Sequence, residues 1–276
     1  MWVRVAVIVV LIATNVFIFS RAADQTLAVS FLDVGQGDAI FVESPSGVQV
    51  LIDGGVDRSV LRGLGTHMSF FDRNIDAVVA THPDADHIGG LVDVLERYEV
   101  GVFIESGVEN DTGPTRALEA AVQNAAPPRV IARRGMRLIL GGGAYADILY
   151  PDRDVSKMET NAGSIVMRVV YGEHEFLLTG DAPKAIEGIL VSHYGESLKS
   201  DVLKAGHHGS KTSSGEIFVK TVDPQYAVFS RGCDNRYGHP APEVVATFQK
   251  FNIPTLDTCE EGAITFHSNG HTLSIK

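Results

Sequence analysis

The sequence predicts an α/β domain in which two packed sheets are covered by helices on their outer faces. Three observations lead to this prediction. Apolar residues make up 45% of the 276 residues, enough for one large core or two small ones. Strand and helix signals alternate after the first 24 residues, without a linker, a low-complexity stretch or a short-period repeat. They fall into two halves, and in each half strands precede helices.

Short apolar runs bounded by turn residues define the predicted strands. In the first half they are residues 27–32, 39–43, 48–52, 75–80 and 102–105, with a turn at Pro45–Gly47. In the second half they are residues 137–140, 146–150, 164–171, 175–179, 226–230, 255–256, 262–267 and 272–275. Helical periodicity covers residues 88–98, 115–125 and 182–194. Residues 25–276 therefore read as one continuous domain.

The first 24 residues are a separate segment. Residues 5–19 are almost wholly apolar and are flanked by Arg4 and Arg21. A transmembrane helix needs about 20 such residues, so this run is short, and Arg21 lies beside the best small-x-small cleavage site. We favour an uncleaved N-terminal hydrophobic helix that anchors the chain in a membrane, with a cleaved signal peptide or a buried helix as the alternatives. Both membrane readings put the domain on the extracytoplasmic side, anchored or secreted.

Charge and cysteine content limit the possible functions and locations of the chain. The net charge of −11 counts against tight, nonspecific DNA binding, because nucleic-acid binders usually carry basic surface. It does not exclude a nuclease, since bound cations would make an active cleft locally positive. Cys233 and Cys259 each follow a strand-like run, and strands connected in this way are often neighbours. The two can therefore form a disulfide, which would suit an extracytoplasmic location, and two free thiols are the alternative.

The loop after the strand at 75–80 concentrates metal-binding side chains. Two imidazoles and two carboxylates fall within six residues: His82, Asp84, Asp86 and His87. They would serve no core, and unpaired carboxylates would repel one another, whereas a pair of divalent cations removes the repulsion. Mixed histidine and carboxylate ligands suit Zn²⁺ or Mn²⁺. The alternative is a polar loop that is rich in Asp by chance.

More candidate ligands follow other apolar strands. Asp53 comes after residues 48–52, Asp181 after a strand and Thr179-Gly180, and the paired His207 and His208 after a third strand. Active sites of α/β folds lie at the C-terminal ends of strands, so we expect these residues to meet. Taken singly, each has an ordinary alternative as a turn carboxylate, a surface histidine pair or an Asx turn.

These motifs resemble those of the metallo-β-lactamase superfamily. Residues 82–87 are similar to its first metal motif, His-x-His-x-Asp-His, with Asp84 in place of the second histidine. The chain also resembles the subfamily that forms the hydrolase domain of the competence protein ComEC. The similar segments, in order along the chain, are residues 31–39, 51–55, 161–164, 178–181, 203–210 and 235–240. The resemblance runs from about Val29 to Ile264. It implies an α/β fold, a four-layer αββα metallo-β-lactamase sandwich, with a two-metal site at one edge.

The resemblance and the ligand types together imply a site. Six side chains are assigned as ligands of two divalent cations, Zn²⁺ or Mn²⁺: His82, Asp84 and His207 on one, Asp86 and His87 on the other, and Asp181 bridging them. Asp53 would orient a ligand histidine. The assigned catalytic residues are Asp86, Asp181 and His208, the last as proton donor to the leaving oxygen. The predicted substrate-binding residues are Lys204, Ser210, Lys211, Thr212, Asn235, Tyr237 and His239.

Two departures from the resembled family affect the functional prediction. No histidine of the usual third motif stands between Gly90 and Asp181, and the channel helices of the competence protein are missing. The favoured function is a phosphodiesterase or nuclease that uses water activated by the two cations. Single-stranded DNA is one candidate substrate, beside RNA or a small diester, and a DNA-uptake channel is one candidate partner. The alternatives are a hydrolase of a lactone, a β-lactam or a phosphocholine-type ester, or a metal-binding accessory protein without catalysis.

Overall fold

The computed structural model describes residues 26–276. The hydrophobic helix predicted at residues 5–19, and with it the choice between an anchor and a signal peptide, lies outside the described residues. Within residues 26–276, the helices are all too short or too polar to cross a membrane.

The strands of the described residues form two sheets. The first half of the chain provides β1 (Leu27–Phe31), β2 (Ile40–Glu43), β3 (Gln49–Ile52), β4 (Asn74–Ala80), β5 (Glu99–Glu105) and β6 (Arg129–Ile131). The second half provides β7 (Arg137–Gly141), β8 (Ala144–Tyr150), β9 (Val166–Tyr171), β10 (His174–Leu178), β11 (Val202–Lys204), β12 (Tyr226–Phe229), β13 (Thr255–Asp257), β14 (Ile264–Ser268) and β15 (Leu273–Ile275).

The α-helices alternate with these strands. They are α1 (Ser59–His67), α2 (Ala85–Arg97), α3 (Gly113–Ala125), α4 (Lys184–Tyr194), α5 (Glu216–Val222), α6 (Pro242–Lys250) and α7 (Thr258–Glu261). Short 3-10 turns occur at Asn161–Gly163, Gly195–Leu198 and Gly206–Gly209.

The two sheets have matching topologies. The first has the strand order β15-β14-β1-β2-β3-β4-β5-β6, and the second has β13-β12-β11-β10-β9-β8-β7. Neighbours are antiparallel from β15 to β3 and parallel from β3 to β6. In the second sheet β7 to β10 are antiparallel and β10 to β13 are parallel. The first strand pairs with a strand near the C-terminus, with Leu27 opposite Ser268.

Side-chain alternation along the strands produces three apolar cores. In β3, Val50 and Ile52 face the second sheet, whereas Leu51 packs against the helices of the first half. The second sheet alternates in the same way, with Phe176 between the sheets and Leu177 among the helices of the second half. A strand buried on both faces reads as a continuous apolar run, as these strands do. The predicted four-layer αββα sandwich is confirmed.

In the first half of the chain, two elements were not predicted from the sequence. Helix α1 contains Gly63 and Gly65, which lower helix propensity, and packing of Val60 and Leu64 on the first sheet outweighs that cost. Strand β6 has three residues, all exposed, at the edge of the first sheet. Its pairing with β5 defines it, because three residues carry no usable period.

The disulfide between Cys233 and Cys259 is present and joins the loop after β12 to α7. The bond closes a loop with a sequence separation of 26 residues. Loop-closure entropy of that size predicts that Cys233→Ser with Cys259→Ser lowers the free energy of unfolding by about 3 kcal/mol. Denaturant unfolding, followed by circular dichroism, measures this loss. Reduced wild-type chain is the control and should lose the same amount, while alkylation of both thiols without reductant would contradict the bond.

Candidate active site

The site lies at one edge of the sandwich, where loops from both sheets meet. Strands β1, β3 and β4 of the first sheet, and β10 and β11 of the second, all end at this edge because they point the same way within their sheets. The first sheet contributes Asp38, Asp53, His82, Asp84, Asp86 and His87, and the second contributes Asp181, Lys204, His207 and His208. The structure thus brings together all six predicted ligands.

Two buried histidines are held through their Nδ1 atoms. His87 Nδ1 donates to Asp53 Oδ2 at 2.7 Å, and His208 Nδ1 donates to the carbonyl oxygen of Ser230 at 2.8 Å. Neither partner atom can donate, so both rings carry a proton on Nδ1, and Nε2 is the ring nitrogen left to bind a metal ion. Asp53, which we predicted to orient a ligand histidine, is in contact with His87.

The other two histidines are oriented in the same way by hydroxyl groups. Thr81 Oγ1 donates to Asp53 Oδ2 at 2.7 Å, so it accepts from His82 Nδ1, which lies 3.0 Å away. His207 Nδ1 lies 3.0 Å from Thr212 Oγ1, whose own proton is directed at Ser210. In all four rings Nδ1 is in a hydrogen bond, which leaves Nε2 to bind a metal ion.

The Nε2 atoms converge on the carboxylate of Asp181. Its Oδ1 lies 3.3 Å from His87 Nε2, and its Oδ2 lies 3.5 Å from His208 Nε2 and 3.6 Å from His207 Nε2. His82 Nε2 is 4.0 Å from the same Oδ2 atom. Asp181 is therefore the one carboxylate in contact with all four imidazoles, which is the position of a bridging ligand.

Three of these nitrogens are buried without a hydrogen-bond partner among the described residues. They belong to His82, His87 and His208. Buried polar atoms without partners are rare and costly, and several unpartnered imidazole nitrogens around one carboxylate are a donor set suited to a metal site. The buried Asp and His cluster is thus compatible with two divalent cations, because Asp84 and Asp86 add two further oxygen ligands at its rim.

The electrostatics of the cluster favour charged carboxylates. Burial alone would raise the pKa of Asp181, but His208, His87 and Lys204 hold it well below its usual range. Asp86 Oδ2 lies 3.3 Å from His208 Nε2, and this contact outweighs burial and lowers the pKa of Asp86. Asp84 Oδ2 lies 3.6 Å from His82 Nε2, and its pKa is also lowered. Negative charge is therefore available to cations over the neutral pH range.

A buried ion pair lies behind the ligands. Lys204 Nζ is 2.5 Å from Asp38 Oδ2 and 3.4 Å from Asp181 Oδ1, and it donates to the carbonyl oxygen of Gly180 at 2.9 Å. Lys204 was expected to hold substrate phosphate. Instead it is completely buried, and its ammonium group neutralises the carboxylates from the side away from solvent. Lys204 and His208 lower the pKa of Asp38 to about 2 despite its burial.

Asp38 was not among the predicted site residues. Its ligand atoms lie within 4.8 Å of those of His87, Asp181 and His208, but Asp38 approaches the Nδ1 edges of the two rings, at 3.3 Å for His208. It therefore supports the ligands rather than joining the ring of Nε2 atoms. One sequence signal was available, since Asp38 follows a Gly-x-Gly turn after a buried strand, much as Asp181 follows β10.

Gly37 makes this placement possible. A Cβ atom there would lie 2.0 Å from the carbonyl oxygen of Asp86, and its φ of +124° is rarely adopted by other residues. The close approach lets the backbone N–H of Asp38 donate to that same oxygen at 3.2 Å. The loop after β1 is thereby fixed to the metal-binding loop.

Three site residues other than glycine have left-handed backbones. The φ angles are 60° at Asp53, 50° at His207 and 55° at His208. Such conformations cost on the order of 1–3 kcal/mol each and persist where surrounding contacts hold them. One such contact is the bond from the His207 N–H to the carbonyl oxygen of Gly180, at 3.2 Å. The backbone of the site is therefore strained at the residues that carry or support its ligands.

A cavity of about 120 Å³ opens onto the cluster. It is lined by Gln36, Asp84, Asp86, Asp181, His207, His208, Tyr237 and His239. Of the predicted substrate-binding residues, Tyr237 and His239 are here, with rings stacked at a centroid distance of 5.7 Å and Tyr237 60% exposed. Gln36 was not predicted to be in the site.

The remaining predicted substrate residues support the loops instead. The Asn235 side chain accepts from the N–H of His239 at 2.8 Å and donates to its carbonyl oxygen at 2.9 Å, so its amide shapes the loop. Ser210 and Thr212 contact each other and hold His207. The carbonyl oxygen of Lys211 accepts from Lys184 Nζ, while the Lys211 side chain is exposed.

The region of the missing third-motif histidine contacts the backbone of Asp181 through a serine. The backbone N–H of Asp181 donates to Ser164 Oγ at 3.3 Å. Asn161 Oδ1 is buried and has no hydrogen-bond partner among the described residues. His174 does not substitute for the missing histidine, because its Nδ1 is bound to Ser268 Oγ at 2.6 Å at the opposite edge of the sheets.

Sequence comparison agrees with this fold and site. Residues 32–232 match the sequence profile of a family described as the metallo-beta-lactamase superfamily. The chain therefore belongs to the metallo-β-lactamase superfamily, whose members are generally metal-dependent hydrolases.

Within that class the chain is similar to competence proteins. It is 30% identical over 258 residues to ComE operon protein 3 of Bacillus subtilis (strain 168), a match of 86% of this chain and 32% of that protein. It is 32% identical over 244 residues to competence protein ComA of Neisseria gonorrhoeae, covering 88% of this chain and 32% of that protein. The chain thus spans about a third of the length of these relatives.

A solved structure shares the fold at low identity. The diiron β-hydroxylase CmlA from Streptomyces venezuelae has a TM-score of 0.53 and 15% identity, over 84% of this chain and 52% of that one. At this identity the similarity concerns the fold alone.

Proposed function

We propose that this chain is a metal-dependent phosphodiesterase whose substrate is single-stranded DNA. The observation that carries the proposal is the oxygen-rich rim of the cluster, where Asp84 and Asp86 line the open cavity beside the bridging Asp181. Mixed carboxylate and imidazole ligands suit Mn²⁺ or Zn²⁺, and either cation can act as a Lewis acid on phosphoryl oxygens of a substrate. The similarity to competence proteins supports DNA as the source of the phosphodiester.

Each part of the site has a task in this reaction. Two divalent cations held by the cluster would supply Lewis acidity and lower the pKa of water. Asp181 and the four Nε2 atoms fix the ligand geometry, and Asp38 with Lys204 balances the buried charge. We assign His208 to the ligands in place of the predicted role as proton donor, because its Nδ1 is bound to Ser230 and its Nε2 faces Asp181.

The exposed Tyr237 ring offers a stacking surface at the cavity mouth. Unpaired bases stack on aromatic side chains, whereas a paired base is shielded inside a duplex. Tyr237 is backed by His239 and is adjacent to the cluster, so a nucleotide next to the scissile phosphate can rest on it. This arrangement supports a single-stranded substrate over a duplex.

We also propose an extracytoplasmic location, for which the disulfide is the support, because such bonds persist in oxidising compartments. A DNA-uptake channel is the proposed partner, since the competence relatives extend well beyond the third of their length that this chain matches.

The test uses the full chain, stripped of metal and then supplied with Mn²⁺ or Zn²⁺. End-labelled single-stranded and double-stranded DNA, bis-p-nitrophenyl phosphate and nitrocefin are the substrates. We expect metal-dependent cleavage of single-stranded DNA and slower cleavage of the duplex. Cleavage of the small diester alone would remove DNA as the substrate, and hydrolysis of nitrocefin alone would replace phosphodiester chemistry by that of a lactam.

A further inference from the structure

Two neighbouring aromatic residues lie almost fully in solvent. Phe70 is 78% exposed and Phe71 is 86% exposed, in the loop between α1 and β4. Their rings contact each other edge to face at a centroid distance of 5.1 Å. Adjacent exposed phenylalanines form an apolar patch of the kind that marks an interaction site, since isolated exposed apolar residues are common but such pairs are not. We call Phe70 and Phe71 the Phe pair.

The loop that carries the Phe pair is held by local hydrogen bonds. Asp72 Oδ2 accepts from Gln49 Nε2 at 3.1 Å, and its Oδ1 accepts from the backbone N–H of Asn74 at 3.1 Å. The N–H of Asp72 donates to the carbonyl oxygen of Ser69 at 2.9 Å. The acidic side chain is thereby occupied within the fold, and the two rings are left as the outermost groups of the loop.

Strand direction places the Phe pair opposite the active site. The site is built at the C-terminal ends of β1, β3 and β4, which are parallel to one another, and the Phe pair comes just before the first residue of β4. Seven residues of strand at about 3.3 Å each separate the two edges by roughly 20 Å. Leu27, the first residue of β1, lies at the same edge as the Phe pair.

The chain enters the domain at this edge from an apolar segment. Residues 5–19 are almost wholly apolar, and seven residues separate Phe19 from Leu27. A chain of that length reaches at most about 25 Å when fully extended. If residues 5–19 lie in a bilayer, the edge with the Phe pair is therefore tethered close to it, and the opposite edge with the metal cluster is the far side of the domain.

We propose that the Phe pair inserts into the interfacial layer of a lipid bilayer beside the N-terminal apolar segment. Phenylalanine rings of interfacial segments insert into that layer, where an apolar ring leaves water while the nearby backbone stays hydrated. The exposed Arg73 next to the pair supplies a cation at the level of the lipid phosphates. The N-terminal apolar segment and the Phe pair are then two attachment points, and together they fix the tilt of the domain. The active site therefore opens away from the bilayer, toward substrate in solution.

Tryptophan fluorescence tests this placement in the full chain. Trp2 is the single tryptophan, so Trp2→Phe provides a background in which Phe70→Trp introduces the only tryptophan, which is excited selectively at roughly 295 nm, beyond the absorption of tyrosine. Ile217→Trp in the same background is the matched control, because Ile217 is 74% exposed and follows the loop of His207 and His208. Both chains, with intact N-termini verified by mass, are reconstituted into vesicles of phosphatidylcholine with a minor fraction of phosphatidylglycerol.

Brominated phosphatidylcholine is then exchanged for the ordinary lipid as a contact quencher. We expect the Phe70→Trp chain to lose about half of its emission and to emit at shorter wavelength than in detergent, as an interfacial tryptophan does. The Ile217→Trp chain should be unchanged. Phe71→Trp serves as an independent second probe of the pair. Equal emission from the Phe70→Trp and Phe71→Trp chains in brominated and ordinary lipid would overturn the proposal, as would equal quenching at position 217.

Discussion

Replacing Asp181 with Asn is expected to lower metal-dependent hydrolysis by roughly a thousandfold or more, with the fold retained. The amide has the same size as the carboxylate, but it carries no charge and cannot bridge two cations. Asp181 lies within 4.0 Å of the Nε2 atoms of all four site histidines, so no other side chain of the site can take its place. Turnover of DNA and of the small diester measures the loss.

A matched substitution separates this effect from a general loss of charge. Asp111 is an exposed carboxylate that pairs with Arg116 at the surface, so Asp111→Asn should keep full activity. Bound metal, measured by elemental analysis, should fall in the Asp181→Asn chain and stay unchanged in the Asp111→Asn chain. Full activity of Asp181→Asn, with normal metal content, would refute the bridging role.

Replacing Lys204 with Met is expected to lower the free energy of unfolding of the metal-free chain by about 3–5 kcal/mol. Lys204 is completely buried, and its ammonium group is the shared counterion of Asp38 and Asp181. Methionine fills a similar volume but leaves both carboxylates buried without that charge. Urea unfolding followed by circular dichroism, in the same detergent for every variant, measures the difference.

Two further variants make the result specific to the buried pair. Lys211→Met removes an exposed lysine seven residues away and should change stability by less than about 0.5 kcal/mol. Adding Asp38→Asn to Lys204→Met should recover part of the lost stability, because the charge left unpaired is then gone as well. A Lys204→Met chain as stable as wild type would show that the carboxylates do not depend on this lysine.

The predictability of the fold follows from how the strands are buried. Strands such as β3, β4 and β10 are covered on both faces, so their apolar runs are unambiguous in the sequence, and their predicted bounds agree with the structure to within one or two residues. Helix α1 and strand β6 lack such a signal. Glycines lower the helix propensity of α1. Strand β6 is defined by its pairing with β5, which ends 24 residues earlier in the chain.

The candidate site also has parts that could be predicted from the sequence and parts that could not. Ligands that stand together, or that directly follow a strand, could be found from residue type and spacing, as His82 to His87 and Asp181 were. Whether a side chain faces the substrate or the interior depends on contacts between distant segments. Lys204 illustrates this, because a lysine beside a metal site suggests phosphate binding until its burial between two carboxylates is known.

Backbone conformation is a second feature of the site that the sequence does not reveal. His207 and His208 are consecutive and both left-handed, so their rings point to positions that no regular strand or helix would give. That geometry turns Nε2 of His208 toward Asp181 and buries it. A sequence carries no signal for two successive left-handed residues, which is why the direction of the His208 ring could not be predicted from its position.

The pairing of β1 with β14 has a consequence for how the protein is made. Leu27 is among the first described residues, yet its partner, Ser268, lies eight residues from the last, Lys276. On the ribosome, β1 is therefore synthesised more than 200 residues before the strand that covers one of its edges. The candidate site is also incomplete until His208 has been synthesised. Completion of this sheet, and with it of the domain fold, is thereby deferred until β14 has been synthesised.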